Sequence, residues 1–215
     1  MSTEIDILKC HFLDEFGFGR RRSLRLGVLL GGAWAFSGPL WAGAVEENLT
    51  DAMRMLLRQR WSAVADSGQL PETARAWQEA IQPRLSRWIP EPVLRSELTA
   101  HLWYEATRAG LSLSLMLGLI EVESGFRKHA ISLTGAMGYA QVMPFWTRLI
   151  GDSDAAALWR TQPNLRYGCL ILRHYLDQEK GDLTLALGRY NGTRGQPHYP
   201  ERVLQAAARW RQAQD

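Results

Sequence analysis

The feature that most limits this chain's fold is the spacing of its apolar residues. From about residue 46 they recur at intervals of three and four, and no stretch alternates apolar and polar residues convincingly enough to make a strand. Leu49, Met53, Leu56, Leu57 and Trp61 share one helix face in a segment running to about residue 80, broken at Ser67-Gly68. "LPETARAWQEAIQPRLSRW" resumes a helix after Pro71, a residue suited to a first helical turn. Pro83, Pro90 and Pro92 punctuate the chain beyond that point. "SELTAHLWYEATRAG" then reads as a capped amphipathic helix ending at Gly110, and "SLSLMLGLIEVES" as a second. "PNLRYGCLILRHYLDQEKG", "DLTLALGRYNG" and "PERVLQAAARWRQ" supply three more. The pattern predicts a mainly α protein without internal repeats. Its 215 residues allow one domain, or one domain with a small extension, and 46% hydrophobic residues suffice for a real core.

Residues 1–44 read as a signal peptide. "RRRSLRLGVLLGGAWAFSGPLWAGA" is a basic region, an apolar stretch and a small-residue end, and Ala42-Gly43-Ala44 has the A-x-A form after which cleavage is expected. The expected location is the periplasm, with an inner-membrane anchor as the alternative if the segment stays uncleaved. The apolar stretch is interrupted by glycines and Pro39, which weakens a spanning helix. Cleavage leaves Cys169 without a second cysteine, so the mature chain is expected to have no internal disulfide. The formal net charge is only +3, and no basic-aromatic patch stands out, which argues against nucleic acid as a partner. His101, His129, His174 and His198 lack ligand-like spacing, so no metal site is expected. His174, among apolar residues on a helix, reads as a satisfied helix-face histidine.

The stretch "LGLIEVESGFRKHA" (residues 117–130) poses the chemical question. An apolar helix ends at Ser124-Gly125 and carries Glu121 and Glu123 in its last turns. Two residues apart, they point roughly 200° away from each other and cannot share a site, so one is expected to face solvent. Glu123 sits where the helix dipole disfavours a negative charge, and burial near Leu119, Ile120 and Phe126 would disfavour it further. Both effects favour a general acid working near neutrality. The ordinary alternative is a solvated glutamate at a helix end. "SLTGAMGYAQVMPFWT" comes next, where Gly135 and Gly138 relax the backbone and Gln141 places an amide among apolar neighbours. Phe145 and Trp146 can floor a sugar groove, although core packing is expected for at least one. In "GRYNGTRG", Tyr190 and Asn191 close an apolar helix, and Tyr199 adds another phenol. Each of these stretches alone is an ordinary turn or core segment.

In this order, however, Glu123-Ser124-Gly125-Phe126, Ser132 with "GAMGYAQVMP", "RYNG" and Tyr199-x-x-x-Val203 resemble the catalytic domain of the soluble lytic transglycosylases. That family has a lysozyme-like fold and cleaves bacterial murein. The resemblance covers about residues 95–205; with the signal peptide and the boundary that the prolines place near Glu91 to Arg95, three parts are expected: the signal peptide (1–44), a helical extension (45–94) and a catalytic domain (95–210). It implies Glu123 as the catalytic acid, Ser132, Gln141, Tyr190 and Asn191 as cleft residues, and Tyr199 as a contact of the catalytic carboxyl group. The implied reaction breaks the bond between N-acetylmuramic acid and N-acetylglucosamine with one carboxyl group and no cofactor, and leaves 1,6-anhydromuramic ends. The implied partner is the peptidoglycan glycan strand, and residues 45–94 are available to a protein of the cell envelope. Two departures stand out. Tyr139-Ala140 replaces the family's usual Leu-Met before Gln141. Arg189 takes a place where a small residue is common, adding a cation near the cleft or one turned to solvent. A hydrolase of the same fold and a murein-binding protein without activity remain the alternative readings. Asp152 and Asp154 are the loop carboxylates that a hydrolase could recruit.

Overall fold

The computed structural model describes residues 70–211. The chain divides into two units, residues 1–48 and 49–215, and every described residue belongs to the second. The expected signal peptide and the first part of the expected extension lie outside the described residues.

Seven α-helices and one short 3-10 helix make up the architecture, with isolated β-bridges but no strand among the described residues. In chain order they are α1 (Glu72–Leu85), α2 (Pro92–Arg108), α3 (Leu113–Ser124), α4 (Phe145–Ile150), the 3-10 helix (Ala155–Trp159), α5 (Thr161–Gln178), α6 (Leu183–Asn191) and α7 (His198–Arg211). The mainly α expectation holds.

Helix ends follow local chemistry. Pro71 precedes α1 as expected, but Pro83 lies inside its last turn rather than breaking it. The chain breaks at Pro90-Glu91-Pro92, and α2 begins with Pro92 as its first residue, four residues before the expected Ser96 cap. Ser96 instead receives hydrogen bonds from α1: its carbonyl accepts from Gln78 at 3.0 Å and its hydroxyl from Gln82 at 3.3 Å. Ser112 caps α3 by accepting the Leu115 amide, and Gly125, at φ 56°, ends it in the left-handed conformation that glycine adopts most readily.

The core runs through Leu98, Leu102, Met116, Leu117, Ile120, Leu165, Leu172, Leu187 and Val203, all buried. Helix α3 lies at its centre and packs most extensively on α7. A Cβ added at Gly118 would stand 2.6 Å from the Ala207 nitrogen and 2.8 Å from the Val203 oxygen, so the two helices cross nearly backbone to backbone. Glycine at 118 thus brings the last turn of α3 under the reach of both ends of α7. A buried ion pair, Glu105 to Arg166 at 3.1 Å, ties α2 to α5, and Gln162 donates to the same carboxylate oxygen at 3.2 Å. Burial pushes the Glu105 carboxyl up from its ordinary value, and the Arg166 charge opposes that push.

Candidate active site

Glu123 occupies the last turn of α3 and is half-buried. The Tyr199 hydroxyl, on the first turn of α7, donates to Glu123 Oε1 at 2.5 Å. Tyr199 is itself buried. Burial, then the nearby Glu123 charge, then the hydrogen bond to it raise the Tyr199 phenol well above its ordinary value. Tyr190 is raised well above its ordinary value too, chiefly by burial and next by the Glu123 charge. Tyr199 thus bonds the carboxyl group directly, while Tyr190, from a different helix, feels its charge.

The Tyr190 hydroxyl donates to the Ala140 carbonyl at 2.7 Å, which joins α6 to the glycine-rich loop. Gln141 adopts a left-handed backbone at φ 48° and is buried. Its amide nitrogen donates to the carbonyls of Gly138 at 3.0 Å and Ala130 at 3.2 Å, so that nitrogen braces the loop. Ser132 Oγ accepts the Ala136 amide at 2.9 Å and pairs with the Thr134 hydroxyl at 2.9 Å. Asn191 Oδ1 accepts from the Thr193 hydroxyl at 3.3 Å. The structure thus brings Glu123, Tyr199 and Tyr190 together and links the Gln141 loop to them through Ala140. The bonds of Ser132 and Asn191 are local to their own turns.

Several side chains differ from expectation. Glu121 does not face solvent. Its carboxylate accepts from Arg209 at 2.8 Å and from the Trp210 indole nitrogen at 2.7 Å, because the end of α7 crosses on that side. Arg189 pairs with Glu179, which also binds Arg194 at 2.7 and 2.9 Å. Hydrogen bonds from Arg194 and Arg189 pull the Glu179 carboxyl down to about 2. Asp154 caps the 3-10 helix through the Ala157 amide, and Asp152 accepts the Asp154 amide. Those loop carboxylates are thereby engaged in their own turn. Phe145 is 39% exposed and stacks on buried Trp146, their centroids 5.3 Å apart, so one of the pair is core as expected. His174 is buried, and burial pushes its imidazole down to about 4. Among the described residues, no cluster of three His, Cys, Asp or Glu is placed to hold a metal.

Asn164 is the supporting residue that sequence reasoning missed. Buried on α5, it accepts the Ala140 amide at 2.9 Å and donates to the carbonyls of Met137 at 2.8 Å and Leu158 at 3.1 Å. It sits against Gly138, where a Cβ would come within 2.3 Å of its nitrogen. The available signal was an amide on the first turn of an apolar helix, where a capping or solvated role is the usual reading.

Fold and site together define an all-helical domain in which a tyrosine-bonded carboxylate closes a buried central helix. Residues 102–210, about half of the chain, match the family described as "Transglycosylase SLT domain", and the chain belongs to that family. Membrane-bound lytic murein transglycosylase C of Actinobacillus pleuropneumoniae serotype 5b (strain L20) is 36% identical over 81 residues, which cover 34% of this chain and 22% of that protein. A transglycosylase of Enterobacteria phage PRD1 is 30% identical over 114 residues, 47% of this chain and 42% of the phage protein. The matched stretches thus span less than half the length of either relative. A solved structure of an inactive mutant of lytic transglycosylase Slt from Pseudomonas aeruginosa aligns with a TM-score of 0.49 at 22% identity, covering 79% of this chain and 37% of that one. Among the described residues no helix is long and apolar enough to cross a membrane.

Proposed function

We propose that this chain is a peptidoglycan lytic transglycosylase that cleaves the β-1,4 bond between N-acetylmuramic acid and N-acetylglucosamine, with Glu123 as both acid and base. The observation that carries the reading is the 2.5 Å hydrogen bond from Tyr199 to Glu123, which aims one carboxyl group out of the end of a buried helix. Glu123 gives its proton to the glycosidic oxygen as the C1–O bond breaks. The acetamido group of the muramic residue stabilises the positive charge at C1. Glu123, now a carboxylate, is steadied by the Tyr199 hydroxyl and takes the proton from the C6 hydroxyl of the same sugar. The C6 oxygen closes onto C1, giving a 1,6-anhydro end without consuming water. An internal nucleophile held this near its target acts at a high effective concentration. The engagement of Asp152 and Asp154 in their own turn favours a single-carboxyl scheme over paired carboxylates.

In this proposal Tyr190 and the Gln141 loop wall the cleft, and Ser132 and Asn191 contact the saccharide from their turns. Residues 95–210 carry the chemistry, and residues 45–94 form the helical extension and offer a face to a cell-envelope protein. The signal peptide delivers the chain to the periplasm. No cofactor takes part. The test is release of soluble muropeptides from purified murein by the wild-type chain and by Glu123→Gln. The expected result is release by the wild type alone, with murein still bound by the variant. Equal release by both would remove Glu123 from the mechanism.

A further inference from the structure

Glu121 and Glu123 leave α3 on opposite sides, and opposite ends of α7 hold them. Tyr199, in the first turn of α7, bonds Glu123, while Trp210 and Arg209, in its last turn, bond Glu121. Gly118 lets α7 press between the two grips. A bond from an indole N–H to a carboxylate is charge-assisted and directional, so the Glu121 grip resists rotation of the last turn of α3 about its axis.

That grip is extended by three rings in mutual contact. Trp210 lies 5.2 Å from Trp88 and 5.5 Å from Phe126, and Trp88 lies 5.2 Å from Phe126. Phe126 follows Gly125 directly and has a φ of 60°, a conformation that a bulky residue keeps only where its surroundings impose it. Arg84 of α1 donates to the Arg209 carbonyl at 2.8 Å and the Trp210 carbonyl at 3.3 Å, and its guanidinium lies 4.6 Å from the Trp210 ring centroid. Arg95 holds the Trp88 turn by donating to the carbonyls of Ile89 and Pro90, both at 2.6 Å. Arg84, Trp88 and Arg95 all precede residue 102, where the family match begins.

We propose that Glu121, Trp210 and Trp88 are positioning residues: they fix the direction of Glu123, and so make the segment ahead of the matched domain part of the reaction machinery. The proposal rests on the reading of Glu123 as the acid. A small misplacement of a reacting group can cost as much as about a hundredfold in rate, so the effect belongs in kcat rather than KM.

The test compares wild type, Trp210→Phe, Glu121→Ala, Glu121→Gln, Trp88→Ala and Trp88→Phe in the full chain. Soluble peptidoglycan strands serve as substrate, kcat and KM are determined separately, and folding is followed by circular dichroism. The two Ala variants should lose about tenfold or more in kcat with KM within about twofold, and Glu121→Gln and Trp88→Phe should recover most of that loss. Trp210→Phe deletes the N–H donor and keeps a ring, so it reads the same effect even where an Ala variant fails to fold. Its kcat should fall several-fold, with a lower thermal midpoint but a retained fold at the assay temperature. Unchanged kcat in folded variants, or a change confined to KM, would overturn the positioning role. A folded wild type that releases nothing would instead overturn the reaction reading beneath it.

Discussion

Replacing Tyr199 by Phe removes one oxygen from a buried site and nothing else. In the wild type that oxygen donates to Glu123 at 2.5 Å. Hydrogen bonds to charged groups contribute about 1.5–3 kcal/mol. Each 1.36 kcal/mol in a barrier is tenfold in rate. Glu123 is half-buried, which exposes the bond to some solvent screening and favours the lower end of that range. The carboxylate that this bond steadies forms as the glycosidic bond breaks, so the loss is expected mainly in kcat, by about ten- to thirtyfold. The ring remains against Glu123, so saccharide binding should change little, while the thermal midpoint should fall by a few degrees for the lost bond. The assay is initial-rate release of muropeptides from soluble glycan strands, with kcat and KM fitted separately and melting followed by circular dichroism. A folded Tyr199→Phe variant with wild-type kcat would show that the bond is structural and that Glu123 is aimed by something else.

Gly118→Ala places a methyl 2.6 Å from a backbone nitrogen of α7. Backbone cannot give way as a side chain can, so a loss of about 3 kcal/mol or more is expected in denaturant melts, at the top of the usual overpacking range. Asn164→Ala strands the Ala140 amide in the interior and takes a donor from the Met137 and Leu158 carbonyls, of which Met137's keeps the Val142 amide. It should cost about 2–4 kcal/mol of stability and blur the Gln141 loop, seen as lost amide-exchange protection at residues 137–142. His174 has a folded value near 4, below its ordinary 6.5, so the unfolded chain binds more protons between those limits. Its stabilising contribution is full above pH 6.5 and is lost as pH falls towards 4. The loss is about 2 kcal/mol at most once partial solvent screening is allowed for. His174→Gln should flatten this part of the pH dependence of the melting temperature, and an unchanged slope would refute the assignment.

Much of the fold was legible because helix spacing and helix stops are local signals. Ser112, Gly125, Asp182 and Gly192 cap or end helices as residues of their type do anywhere. The start of α2 was misplaced because Ser96 looks like a cap, whereas Pro92 opens the helix and Ser96 receives bonds from α1. Glu123 and Tyr199 stood out in sequence as parts of an ordered set of motifs, and their contact required only that α3 and α7 cross. The fate of Glu121 was hidden for a different reason. Two residues from Glu123 it must point elsewhere, but whether it meets solvent or Trp210 depends on a helix 89 residues further along the chain. Arg189 was read against its neighbours in sequence, while its partner Glu179 is set by the turn joining α5 to α6. Asn164 was missed because one amide in a helix carries no sign that backbone groups of Met137, Ala140 and Leu158 will bond to it.

The decisive measurement is the mass of the muropeptides that the wild-type chain releases from purified murein. A lytic transglycosylase leaves anhydromuramic ends, lighter than hydrolytic products by one water, and these are the products expected here. Reducing muramic ends would contradict the proposed mechanism: a water would then be the nucleophile, and a second group would be needed to activate it.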